Sequence, residues 1–266
     1  MGDEGRKKWF PLACISLLIT SIIFSGYLVI DYFINEDCSN PAQDKRIALS
    51  FDDIAHLERW NSTMPLFDQY GVNATFFIDR QDSISNDDYM TLHSFQDKGH
   101  EIGLHTLTHK SLTTFVEEGG SEDEWFQSQV ITSLSIMEDN NFSIDSFAYP
   151  FGARSDSMDD LIQTKIPIVR GVGGGSDRGL FAKEEIHPWY TGCLDNGSFR
   201  ALKISGENSH LEKALSTIDE ENEGTILLYA HDINGTKDTI SHDDLSRLFE
   251  VANSNGWEFI QMRDLI

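Results

Sequence analysis

Basic residues are scarce. Lys and Arg total 20 against 44 Asp and Glu, a formal net charge of −24. Nucleic-acid binding is thereby disfavoured, because phosphate contacts need a basic face. Such an excess keeps a protein soluble at high salt, which suits a saline habitat, but an ordinary acidic surface has the same composition. Cysteines are few as well, three in all. Cys14 lies inside an apolar run, which leaves Cys38 and Cys193. In an exported protein these two could pair, or stay as two free thiols. Internal repeats and low-complexity segments are absent. Long uncharged stretches are limited to one, Trp9–Ile30.

What is present fits one domain with a proper core: 266 residues, 39% hydrophobic and 24% charged. The single apolar run follows Arg6, Lys7 and Lys8. At about 1.5 Å per residue it can cross a hydrocarbon core of about 30 Å. The basic cluster before it predicts a cytoplasmic N-terminus and an exported remainder. The sequence therefore divides into a cytoplasmic N-terminus (1–8), a transmembrane anchor (9–34), a polar linker (35–44) and a domain (45–266). A signal peptide cut near Phe24-Ser25-Gly26 is the competing reading, and secretion would follow from it.

From Lys45 onward the pattern alternates. Apolar strand-like runs at Arg46–Phe51, Ala74–Ile78, Glu101–Leu104, Ser146–Tyr149, Ile166–Val169, Arg200–Ser205 and Thr225–Ala230 are interleaved with helical stretches. Ser121 and Glu124 form a capping-box pattern at the head of the longest of these, which runs to about Asn140. Trp257–Met262 is expected to close the sheet. Such β/α alternation predicts an α/β fold, for which a barrel is the natural closure.

Two strand ends carry chemistry. Arg46–Asp53 reads RIALSFDD and ends in adjacent carboxylates, which point in different directions. Gly99–His109 reads GHEIGLHTLTH, with His105 and His109 four apart. Two imidazoles and a carboxylate suit zinc and leave a position for water. Cobalt, nickel and manganese stay open on ligand type alone.

SFDD, HTLTH, FAYPFG at Phe147–Gly152 and LLYAHD at Leu227–Asp232 occur in the order of the polysaccharide deacetylase family, the NodB-homology domain of carbohydrate esterases. The resemblance spans roughly Lys45 to Ile266, and its FAYP form resembles one branch of the family. It implies a distorted (β/α) barrel of about seven strands. It implies one divalent cation on Asp53, His105 and His109, with Asp52 as general base and His231 as the acid that protonates the leaving amine. The N–H of Phe151 would face the oxyanion. Tyr149, Pro150 and Trp189 are the expected substrate-binding residues; His187–Tyr190 serves equally well as core. The implied substrate is an N-acetylated surface or extracellular glycan. Hydrolysis of another amide and an inactive carbohydrate-binding module are the alternatives.

Two positions depart from the family pattern. Ile54 stands where Gly usually follows the aspartates, so that loop is expected to avoid glycine-only geometry. Ala148 stands where an arginine usually holds the base aspartate. Arg170, at the end of the next expected strand, is the expected replacement, with Arg154 as the alternative.

Overall fold

The computed structural model describes residues 45–53, 56–173, 180–181, 198–207, 209–221 and 223–265. The expected anchor and linker, Cys38, Cys193, Ile54 and Trp189 lie outside the described residues. Among the described residues no helix is long and apolar enough to cross a membrane.

Among the described residues nine strands form one sheet: β1 (Lys45–Phe51), β2 (Thr75–Ile78), β3 (Glu101–Leu104), β4 (Ser146–Ala148), β5 (Ile168–Val172), β6 (Leu180–Phe181), β7 (Ser198–Lys203), β8 (Gly224–Ala230) and β9 (Glu258–Ile260). Seven of them are parallel and close into a barrel, in the order β1, β2, β3, β4, β5, β7, β8 and back to β1. β8 lies along the whole of β1, from Lys45↔Gly224 to Phe51↔Ala230. The final strand therefore does not close the sheet, as its position in the chain suggested. β9 instead pairs with Arg46–Ala48 of β1, below the point where β2 takes over at Ser50 and Phe51. β6 runs antiparallel to the start of β8.

Helices α1 (Leu57–Tyr70), α2 (Asn86–Asp97), α3 (Leu112–Glu117), α4 (Glu122–Trp125), α5 (Thr132–Asp139), α6 (Asp156–Gln163), α7 (Leu211–Glu220) and α8 (His242–Ser254) connect the strands. Between α4 and α5 the helix widens into a π-turn, Phe126–Ile131. Serines start most of these helices. Ser121 Oγ accepts the Glu124 N–H at 3.2 Å, and Glu124 accepts the Ser121 N–H at 2.9 Å, the reciprocal cap expected from sequence. Gly71 ends α1 at φ 66°, where a side chain would be strained.

Period-two alternation assigns each strand residue to a layer. On β1, Ile47, Leu49 and Phe51 face the helices, and the Phe51 ring lies 4.4 Å from Trp60 of α1 and 5.3 Å from Phe76. Ala48 belongs to the second, inner cluster with Phe77, Ala148, Ile168, Phe199, Ala201, Leu227 and Tyr229. Three alanines leave room there for the rings of Phe77, Phe199 and Tyr229, since seven strands enclose little space. Met262 and Leu265, in the last turn of chain, join that cluster at its base. Beside them the buried Glu101 accepts hydrogen bonds from Thr75 and Ser146, both at 2.7 Å, and from the Arg263 N–H at 3.0 Å.

The same alternation separates the two aspartates. Asp52 follows Ala48 and Ser50 and is turned inward, 3% exposed, while Asp53 comes off the strand end into the loop layer. β5 extends to Val172, so Arg170 sits within the strand rather than at its end.

Candidate metal centre

The strand ends β1 and β3 bring Asp53, His105 and His109 together, with one potential ligand atom from each lying within 4.8 Å of the others. Asp53 Oδ1 is 3.3 Å from His105 Nε2 and 3.0 Å from His109 Nε2. His105 is anchored from behind, its Nδ1 lying 2.7 Å from the Ala148 carbonyl oxygen. A carbonyl only accepts, so Nδ1 carries the proton. In the neutral ring Nε2 then presents a lone pair to Asp53. Asp53 Oδ1 is itself buried without a hydrogen-bond partner among the described residues. Lone pairs converging on an orphaned carboxylate oxygen fit a cation between them. Two imidazoles and one carboxylate accept zinc, and the other divalent ions weighed above.

The electrostatics agree with that fit. Burial alone raises the Asp53 carboxyl, but the adjoining His105 and His109 outweigh it and hold the group well below the usual carboxylate range. Burial disfavours a proton on His105, yet the Asp52 and Asp53 carboxylates outweigh burial and raise its pKa. A proton and a cation therefore compete for the same Nε2.

Three of the loops hold non-glycine residues in the left-handed region: Asp53 at φ 56°, Thr106 at 70°, His109 at 54° and Phe151 at 59°. Each costs about 1–3 kcal/mol, and such residues gather at functional sites. Nothing in RIALSFDD announces that Asp53 itself adopts this geometry.

Asp52 lies one residue and one layer away. Arg170, fully buried, donates from Nη2 to Asp52 Oδ1 at 2.6 Å and Oδ2 at 2.5 Å. Its guanidinium is flanked by the Phe77 ring at 5.2 Å and the Tyr229 ring at 4.7 Å. The register explains why this arginine reaches the base. Ala148 of β4 and Arg170 of β5 are direct partners, so they face the same inner layer. Moving the cation one strand sideways keeps it on Asp52. Arg154, the alternative, ion-pairs with Asp159 instead.

His231, just past the end of β8, lies beside the cluster, with Nε2 4.0 Å from Asp53 Oδ2. Its other nitrogen, Nδ1, faces Asp238 at 3.2 Å and Ser205 Oγ at 3.3 Å. Asp238 is in turn paired with Lys203 at 2.7 Å. Asp238 and Ser205 were missed from sequence, because a loop aspartate and a strand-end serine carry no spacing signal.

Phe151 is 70% exposed and sets its ring edge-on to His109 at 4.7 Å. Tyr149 and Pro150, expected to bind substrate, are both buried. Tyr149 is 1% exposed, stacked on Trp125 at 6.0 Å and edge-on to Phe147 at 5.0 Å. Motif position placed it near the site, while its side-chain direction sends it under the loop.

Residues 39–166 match the family model described as Polysaccharide deacetylase. No curated protein matches the chain. Among solved structures, the peptidoglycan N-acetylglucosamine deacetylase Bc1960 is similar at 17% identity and a TM-score of 0.59, over 85% of this chain and 90% of that one. A family 4 acetyl xylan esterase from Clostridium thermocellum, in complex with a cobalt ion, is similar at 19% identity and a TM-score of 0.55, over 83% and 90%. BA3943 from Bacillus anthracis, a CE4 family pseudoenzyme, is similar at 15% identity and a TM-score of 0.53, over 84% and 65%. At these identities the likeness is one of fold. Just under half of the chain is thus similar to the polysaccharide deacetylase family model, and the barrel is shared with solved structures of CE4 enzymes.

Proposed function

We propose that the chain is a metal-dependent hydrolase that removes N-acetyl groups from an N-acetylated polysaccharide, of the FAYP type. The observation that carries the reading is the cluster of Asp53, His105 and His109 with His231 beside Asp53 and the neighbouring Asp52 held by Arg170. A divalent cation held by that trio, zinc being the first choice, would supply Lewis acidity, acidifying a water and polarising the acetyl carbonyl. Asp52, held by Arg170, takes the proton of the attacking water. The Phe151 N–H faces the oxygen on which negative charge develops. His231 donates a proton to the departing nitrogen, since an amine anion is a poor leaving group. Asp238 and Ser205 hold its ring in place for that transfer. The apolar run Trp9–Ile30 supports an anchored domain outside the cell, where peptidoglycan, chitin-like chains and other surface glycans all offer acetamides.

The solved relatives act on N-acetylglucosamine of peptidoglycan and on acetyl xylan, so the test separates amide from ester. The full chain, purified in detergent, is incubated with N-acetylglucosamine oligomers and with acetylated xylan, with and without a chelator. Metal-dependent acetate release from the oligomers is expected. Release from xylan alone would make the enzyme an esterase. Bound metal with no acetate release from either would leave hydrolysis of another amide. An inert protein that binds glycan would be a module of the pseudoenzyme kind.

A further inference from the structure

The loop between the two histidines is the least self-supporting part of the centre. Thr106 and His109 both lie in the left-handed region, at φ 70° and 54°. Non-glycine residues stay there only when their surroundings over-determine them. At the start of the loop, the His105 N–H donates to the Ile78 carbonyl at 2.9 Å. Two of the three residues between the histidines are then gripped by a single residue from a distant helix. Gln129 accepts the Leu107 N–H on its backbone oxygen at 3.0 Å. Its Oε1 accepts the Thr108 N–H at 3.0 Å and the Thr108 hydroxyl at 2.9 Å. A backbone N–H is an unambiguous donor, so the amide must present its oxygen to the loop. Gln129 is 7% exposed and is held among packed neighbours.

Gln129 reaches the loop from the π-turn Phe126–Ile131. Within this turn the Thr132 hydroxyl bonds the Gln127 carbonyl, five residues back, at 2.9 Å. Widened turns of this kind recur at functional sites. Trp125, which leads into it, donates from its indole nitrogen to the Lys110 carbonyl at 2.9 Å. Leu107, Thr108 and Lys110 are thus all fastened to one helix, on both sides of His109.

We propose that Gln129 is a positioning residue for the metal centre. By fixing Leu107 and Thr108 from the π-turn, it sets the pose in which His105 and His109 face Asp53 together. The proposal rests on the reading that Asp53, His105 and His109 hold a cation, and it adds a residue that touches neither ligand ring. Supporting groups outside the ligand set typically change metal affinity by about 10–100-fold when lost.

The test measures the Zn2+ dissociation constant of the metal-stripped full chain by chelator competition, with a thermal melt for each variant. Gln129→Leu keeps the bulk and removes the side-chain acceptor, and about 10–100-fold weaker binding is expected. Gln129→Glu keeps an acceptor oxygen toward Thr108 and is expected to bind at least as tightly as wild type. Thr108→Val removes only the hydroxyl bond at an exposed residue, and a smaller loss than in Gln129→Leu is expected. A folded Gln129→Leu that binds Zn2+ like wild type overturns the proposal, and so does a Gln129→Glu as weak as the leucine variant. Should Gln129→Leu not fold, wild-type affinity in Thr108→Val overturns it. A wild-type chain that binds no Zn2+ or Co2+ sinks the metal reading itself, and this proposal with it.

Discussion

Arg170→Met is expected to cost about 3–5 kcal/mol of folding stability, because it strands the Asp52 carboxylate in the barrel without its cation. Arg170 is fully buried and Asp52 is 3% exposed, so water cannot take the place of the guanidinium. The loss should appear as a lower midpoint in urea unfolding. Breaking one half of a buried pair is costly, whereas replacing both halves by neutral groups is often tolerated. The double variant Asp52→Asn with Arg170→Met is therefore expected to recover most of the stability and none of the acetate release. This contrast separates the two roles of the pair, one in the fold and one in the chemistry. A single variant as stable as wild type would mean that Asp52 does not depend on Arg170.

Asp52→Asn alone is expected to lower acetate release by about 10²–10⁴-fold, the range for loss of a general base. The asparagine keeps the shape and can still accept a hydrogen bond from Arg170, but it cannot take a proton from water. Metal affinity should be unchanged, since Asp52 is turned to Arg170 and the cation trio is built from Asp53. Steady-state acetate release, paired with a Zn2+ titration of the same sample, reads both effects. Loss of metal along with activity would place Asp52 among the ligands.

Much of this centre can be read along the chain because strands simplify the problem. A strand that ends in charge puts its last residues at the rim of a barrel, and period two separates Asp52 from Asp53 without any coordinates. The vacancy at Ala148 also carried information. A base aspartate without its usual arginine needs another cation, and Arg170 is the register partner of the empty position. The strand itself proved longer than expected, so the residue lies in the barrel layer rather than at the rim.

Other parts were opaque for physical reasons. Asp238 reaches His231 from an irregular loop, and loops have no period from which a contact can be inferred. Gln129 lies in what reads as an ordinary helix, and nothing in FQSQVI announces a widened turn. Helix α3 has six residues, too few for an amphipathic repeat to stand out from a polar interval. Tyr149 shows the complementary case. Its place in a motif suggested contact with substrate, but a buried ring stacked on Trp125 supports the loop from beneath. Motif membership locates a backbone; side-chain direction is settled by packing.

The proposed chemistry depends on one cation at the meeting point of β1 and β3. Calorimetric titration of the metal-stripped full chain with Zn2+, alongside Asp53→Ala and His109→Ala, tests this directly. One ion per wild-type chain and greatly weakened binding in both variants is the predicted result. A wild-type chain that takes up no metal, or variants that bind it as tightly as wild type, would contradict the account.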